Sequence, residues 1–200
     1  MALTLQPIYP RFVSEDAYLA ELDKAERPPE YFGGVIHEFV ATTLAHGQIL
    51  ANLISALVSA LQGKKCIVAA GSGVRAMNSP DYFFPDVSVV CGQPSYRDER
   101  RRMITNPIAV FEILSPSTEA TDRGSKFHHV KQIESIREYV LLSQYEAKVE
   151  ILRRTETPFW LYADFNGLDA IAEFTSLGVS IPLSDIYRDV ELDPSADATA

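Results

Sequence analysis

Cysteine is scarce here, with two in 200 residues, and neither sits in the spacing of a metal site. Cys66 and Cys91 lie far apart beside aliphatic residues and have no CxxC partner, so two buried, reduced thiols are expected in place of a disulfide or a zinc site. Long apolar runs are missing too. The most hydrophobic helical candidate is broken by Asn52, Ser55 and Ser59, which excludes a membrane-spanning helix there. The opening MALTLQPIYPRFVSEDAYL has no basic start followed by an apolar run, so no secretory signal is expected and a cytoplasmic location is. Basic charge is short: the formal net charge is -9, and a protein that coats nucleic acid carries the opposite balance. Any site for a polyanion must therefore be a local patch. Internal repeats and low-complexity blocks are absent as well.

What remains is an ordinary globular composition, 46% hydrophobic and 22% charged, on a chain long enough for one substantial core. Residues 1–14 read as an N-terminal extension, 15–190 as a single domain and 191–200 as a polar tail. Ser14 before acidic residues, Leu19 and Leu22 predicts a short capped helix that ends before Pro28 and Pro29. Glu30 to Gly34 reads as a turn between two short strands, the second running from Val35 to Thr42. Apolar residues at Ile49, Leu50, Leu53, Ile54, Leu57, Val58 and Leu61 recur at three and four, which predicts an amphipathic helix from Leu44 to Leu61. Extended runs follow at 66–70, 73–77, 86–91 and 107–114. A helix is expected over 118–135, then strands at 138–142 and 148–153 and an irregular β region to the C-terminus. The pattern is α/β or α+β, a mixed sheet flanked by helices.

Two acidic residues break this pattern. Asp86 opens an apolar strand in Phe-Phe-Pro-Asp-Val-Ser-Val-Val, and Glu112 sits inside another in Ala-Val-Phe-Glu-Ile-Leu-Ser-Pro. Asp is depleted in strands, and a buried ionised carboxylate is costly unless something pairs with it. Asp86 must cap a turn, join a salt bridge or hold a metal ion. Carboxylates raised from neighbouring strands suit Mg²⁺, which takes oxygen ligands and keeps several waters. A cation beside them is the third requirement. The position sharing the face of Glu112 two residues on is Leu114, whereas Lys126 lies in the following helix, four residues after Asp122 and on the same face.

The frame of Pro-Asp-Val-Ser-Val-Val, Val-Phe-Glu-Ile-Leu-Ser-Pro-Ser-Thr, Asp-Arg-Gly-Ser-Lys-Phe and Ile-Arg-Glu-Tyr-Val-Leu resembles the Uma-two (Uma2) family. This bacterial family is described as endonucleases of the PD-(D/E)XK, or restriction endonuclease-like, superfamily. The resemblance spans roughly residues 15 to 190. It implies a restriction endonuclease-like mixed β-sheet core flanked by helices, with additional strands at both ends. It also implies a Mg²⁺ site (Mn²⁺ may substitute) formed by Asp86 and Glu112, with Lys126 taking over from the Lys usual at 114, DNA as substrate, and a homodimer. Glu30 and His46 fall where the family has a Glu-turn-Gly segment and a His at a helix start, and could add an accessory contact or ligand. The chain departs from the family at Val130, where Tyr is common, and at Gly33, where an acidic residue or Asn is usual.

Bland readings stand beside these. Asp86 could cap its own turn, Glu112 could form a buried ion pair, and Asp122 with Lys126 could be an ordinary helix pair, with Asp122 positioning Arg123 or Lys126. His46 could simply pack. His128 and His129 are adjacent, face different ways and read as surface residues. Arg97, Arg100, Arg101 and Arg102 form the one basic cluster, placed to touch a phosphate backbone or to lie in a solvated loop. Three functions fit: a Mg²⁺-dependent endonuclease, a silent homologue serving as a binding module, or a hydrolase of another phosphoester.

Overall fold

The computed structural model describes all residues except 1–11, 23, 26–28, 39–42, 98, 100–101 and 193–200. The chain runs through helix α1 (Glu15–Leu22), strands β1 (Glu30–Phe32) and β2 (Val35–His37), and helix α2 (Leu44–Ala60). Strands β3 (Cys66–Ala70), β4 (Gly73–Arg75), β5 (Tyr82–Phe83), β6 (Val87–Cys91), β7 (Met103–Ile104) and β8 (Ala109–Ile113) follow. Next come α3 (Glu119–Thr121), a π-helical turn (Asp122–Lys126), α4 (Phe127–Val130), and strands β9 (Glu138–Leu142), β10 (Lys148–Arg154) and β11 (Trp160–Asn166). Strands β12 (Ile171–Phe174) and β13 (Val179–Pro182) and helix α5 (Leu183–Ile186) end it.

The central sheet has the order β11-β10-β9-β8-β6-β3. It is mixed: β8 and β9 pair parallel, while β6 pairs antiparallel with both β3 and β8. Strands β8 and β9 are buried along their whole length, so their two faces feed two cores. Phe111 and Ile113 face α2, whose Ile49, Leu53 and Leu57 are fully buried. Val110 and Leu114, on the alternate positions, face a second cluster with Phe32, Phe83, Val130 and Tyr139. Glu112 lies between Val110 and Leu114 in sequence, and therefore points to this second side.

The N-terminal strands form a separate sheet in the order β2-β1-β5-β4-β7, and the β12–β13 hairpin adds strands at the other end. The β1–β2 hairpin turns on Gly33 and Gly34, both at positive φ, 61° and 79°. Consecutive left-handed residues are what a two-residue hairpin loop requires. The Gly33 amide is further tied to Asp81 Oδ1 at 3.1 Å, so the departure from the family at this position leaves the turn anchored.

Ser14 caps α1 as expected, its Oγ accepting from the Ala17 amide at 3.2 Å. Several expectations need correction. Cys66 and Cys91 are cross-strand partners in the β3–β6 pair and form a disulfide, not two free thiols. The helix expected over 118–135 is three short segments that end at Val130. The extended run at 73–77 is strand only to Arg75, and Val58 is about half exposed, outside the buried stripe of α2. The C-terminal region is regular, with β11 paired to β10 over seven residues. The far half of the strand expected to Thr42, Pro28, most of the N-terminal extension and residues 193–200 of the tail lie outside the described residues. Among the described residues, no helix is long and apolar enough to cross a membrane.

Candidate active site

Val87 pairs with Phe111, so the antiparallel register carried one step further sets Asp86 opposite Glu112. The Asp86 carboxylate is held on both oxygens. Its Oδ2 accepts from the Ile113 amide at 2.8 Å, and its Oδ1 faces His46 Nε2 at 3.1 Å. His46 belongs to the first turn of α2, where the Thr43 hydroxyl caps the helix by accepting from the His46 amide at 3.1 Å. Thr43 in turn donates to Gln144 Oε1 at 2.6 Å, which fixes the α2 start to the loop after β9.

On the other side, Lys126 enters from the π-helical turn and is only 3% exposed. Its Nζ lies 2.7 Å from Glu112 Oε1, 2.9 Å from Glu30 Oε1 and 3.4 Å from Asp122 Oδ1. Glu30 reaches this point from β1, and the same Oε1 accepts from the buried Phe84 amide at 2.8 Å. Tyr139 donates to the Asp122 carbonyl at 3.0 Å and pins the π turn to β9. Glu112 Oε1 is buried with the Lys126 ammonium as its ion-pair partner and makes no hydrogen bond.

Burial would push the Lys126 amine down, but Glu112, Glu30 and Asp122 around it hold its pKa well above the ordinary value. Burial drives the Glu112 carboxyl well above the usual range; Lys126 opposes this, and Asp122, Glu30 and Asp86 reinforce it. Asp122 is raised for the same first reason, with Lys126 again opposing. Burial and the crowding of three carboxylates around one ammonium thus raise the Glu112 and Asp122 carboxyls, while the same carboxylates keep Lys126 a cation.

These groups line a cleft of about 640 Å³ whose wall also includes Ile36, His37, Glu38, Phe84 and the hydroxyl-bearing segment Ser115 to Thr118. Asp86, Glu112, Lys126, Glu30, His46 and Asp122 are thus brought together. Of the arginine cluster, Arg97 and Arg102 are exposed on the connection between β6 and β7 and do not line the cleft, while Arg100 and Arg101 lie outside the described residues. His129 is half-buried against Asp81, 3.0 Å from its Oδ2, whereas His128 is exposed. Sequence reasoning missed His37, Glu38 and the hydroxyl segment as cleft residues. His37 is set directly across from Glu30 by the register of the β1–β2 hairpin.

A mixed sheet flanked by helices is the architecture of the restriction endonuclease-like class of fold. A crystal structure described as a "putative nuclease belonging to DUF820" from Anabaena variabilis shares it with a TM-score of 0.71 at 20% identity, over 88% of this chain and 97% of that one. Within that class the chain belongs to the Uma2 family, described as "Putative restriction endonuclease", whose model matches residues 15–184. Two relatives come from Synechocystis sp. The uncharacterized protein slr1290 is 30% identical over 178 residues, covering 88% of this chain and 92% of the relative. The uncharacterized protein sll1609 is 26% identical over 163 residues, covering 81% and 92%.

Proposed function

We propose that this family member is a metal-dependent endonuclease that hydrolyses DNA phosphodiester bonds, with Asp86 and Glu112 as ligands of Mg²⁺ or Mn²⁺ and Lys126 as the stabilising cation. The observation that carries the reading is the convergence of these three side chains in one cleft from a strand mouth, a strand interior and a bulged helix. The donor set fits the ion. Carboxylate oxygens suit hard divalent cations, and Glu112 Oε1, ion-paired to Lys126 at 2.7 Å, makes no hydrogen bond that would have to be given up to an ion. Among the described residues, no three His, Cys, Asp or Glu side chains are gathered to hold a metal alone. Two carboxylates completed by water and substrate oxygens remain the fitting arrangement.

A bound ion would polarise a phosphodiester oxygen and acidify a water molecule. The chain's own groups do the rest. Lys126, permanently charged, faces the place where negative charge grows on the phosphoryl group. The Ile113 amide and His46 hold Asp86 in one orientation, and Glu30 keeps Lys126 from swinging out. By analogy with the superfamily, the reading includes a homodimer whose two sites address two strands.

A second reading, hydrolysis of a small phosphoester, draws on one observation. The cleft lining carries five carboxylates, from Glu30, Glu38, Asp86, Glu112 and Asp122, against Lys126 as its lone Lys or Arg among the described residues. A duplex draws its affinity from several neutralised phosphates. A small substrate needs fewer.

Calorimetry of Mg²⁺ and Mn²⁺ binding to wild type, Asp86→Ala and Glu112→Ala, with circular dichroism as the fold check, is the first test. Metal binding that disappears in both folded variants, together with metal-dependent cleavage of DNA, is the expected result. Cleavage of a small phosphodiester but of no DNA form selects the second reading. A wild type that binds no metal even beside a DNA fragment overturns both.

A further inference from the structure

Attack by water on a phosphodiester needs a group to receive a proton, and the central residues of this cleft are committed elsewhere. Lys126 is clamped by three carboxylates and remains an ammonium ion. Asp86 is engaged on both oxygens, and His46 spends Nε2 on it while its Nδ1 is sealed in the interior, away from solvent. Glu38 is exposed to solvent, and no contact fixes its side chain among the described residues. His37 is different. It ends β2, half-buried in the cleft wall, directly across the hairpin from Glu30.

Its ring is held by stacking, and among the described residues no carboxylate is ion-paired to it. It lies flat on Phe32, with centroids 3.9 Å apart and planes 5° from parallel. Among the described residues no side chain is hydrogen-bonded to either ring nitrogen, and the ring belongs to the cleft wall. The charged and titratable groups that face it are Glu30 from β1, Lys126 from the π turn and His129 from α4. Burial pushes its pKa below the usual histidine value, Glu30 pulls it up, and Lys126 and His129 push it down again. The net direction favours the neutral ring, the form able to accept a proton.

We propose that His37 is the catalytic proton acceptor of this cleft, taking the proton of the attacking water during phosphodiester hydrolysis. The proposal rests on the phosphodiesterase reading above, for DNA or a small phosphoester alike. The water oxygen bonds to phosphorus while its proton passes to a ring nitrogen. The bond from phosphorus to the leaving sugar oxygen breaks, and that oxygen keeps the electron pair and takes a proton from solvent water. His37 then returns its proton to solvent.

The test compares wild type with His37→Asn and His37→Gln on whichever phosphodiester the wild type cleaves, from acid to alkaline pH. Metal calorimetry and imidazole NMR run alongside. Both variants are expected to bind metal like wild type yet lose about 100-fold or more in kcat. The acid limb of the pH–rate profile should vanish with the imidazole, and added free imidazole should restore part of the rate to His37→Asn. In wild type, the His37 resonances should titrate below the ordinary histidine range. A variant that folds and retains wild-type kcat and its acid limb overturns the assignment while leaving the phosphodiesterase reading intact. So does a His37 that stays imidazolium at the assay pH. A wild type that cleaves no phosphodiester removes both, so the two failures are told apart by the wild-type arm.

Discussion

Lysine is among the residues least often buried, and Lys126 is tolerated in the interior only because Glu112, Glu30 and Asp122 surround its ammonium group. The arrangement is asymmetric. Removing the cation strands three carboxylates in a place where water can scarcely reach them. Lys126→Met should therefore lose about 3 to 5 kcal/mol of folding stability by urea denaturation, although Met fills a similar volume. Metal-dependent cleavage should fall with it. Unchanged stability would mean that the carboxylates are already neutral and that the ion pairs contribute little. At this scale the sequence was informative wherever a side chain contradicted its neighbours. Asp86 and Glu112 stood out as carboxylates in apolar strands, and Lys126 was found by its spacing from Asp122. His37 gave no such contradiction. A histidine at the end of a short strand is unremarkable until the hairpin register and the ring stack are known.

Elements show where that local reading stops. The long α2 stripe, the β8 and β9 runs and the capped α1 follow from periodicity and capping alone, and the structure has them within a residue or two. The helix after β8 does not, because tertiary contacts override its pattern. Asp122 and Lys126 turn inward through a π-helical turn, a widened backbone often found at functional sites. The turn is fastened from outside by Arg123, which donates to Glu119 Oε1 at 2.7 Å and also to Glu150 of β10. Glu150 accepts from Tyr162 of β11 as well. Burial pushes the Glu150 carboxyl up, but hydrogen bonds from Arg123 and Tyr162 outweigh it, and its pKa sits below the usual value. A folded pKa below the unfolded one means that ionisation favours the folded state. This contribution is complete above the ordinary carboxylate pKa and is lost as pH falls through the lowered one. Glu150→Gln should lower stability at neutral pH by roughly 1 to 3 kcal/mol and flatten the acid side of the stability curve. Thermal unfolding of both proteins from neutral to acid pH reads this directly. Parallel curves offset by a constant would show that Glu150 acts by packing alone.

For the whole molecule, the decisive long-range feature is the one the sequence concealed. The segment between Cys66 and Cys91 leaves the central sheet, builds β4 and β5 in the second sheet and returns as β6. Only that excursion makes the two cysteines cross-strand partners, and no spacing rule reports it. The bond joins edge strand β3 to β6 at the end of β6 away from Asp86, so it secures the sheet without touching the cleft. It also removes the thiol argument for a cytoplasmic location, since structural disulfides persist mainly in oxidising compartments. Closing a loop with a sequence separation of 25 restricts the unfolded chain, an effect worth about 3 kcal/mol in the loop-entropy account. Cys91→Ser and reduced wild type should therefore unfold at the same lower denaturant concentration, and oxidised wild type at a higher one. Reductant should shift wild type and leave Cys91→Ser where it is. Metal binding should be equal in all three, because Asp86 and Glu112 stay on paired strands held by the β6–β8 ladder. If oxidised and reduced wild type unfold together, the native strand pairing already confines this segment and the bond adds no stability. If metal binding falls on reduction, the edge of the sheet supports the cleft more closely than the β6–β8 ladder implies, and the two ends of β6 act as one unit.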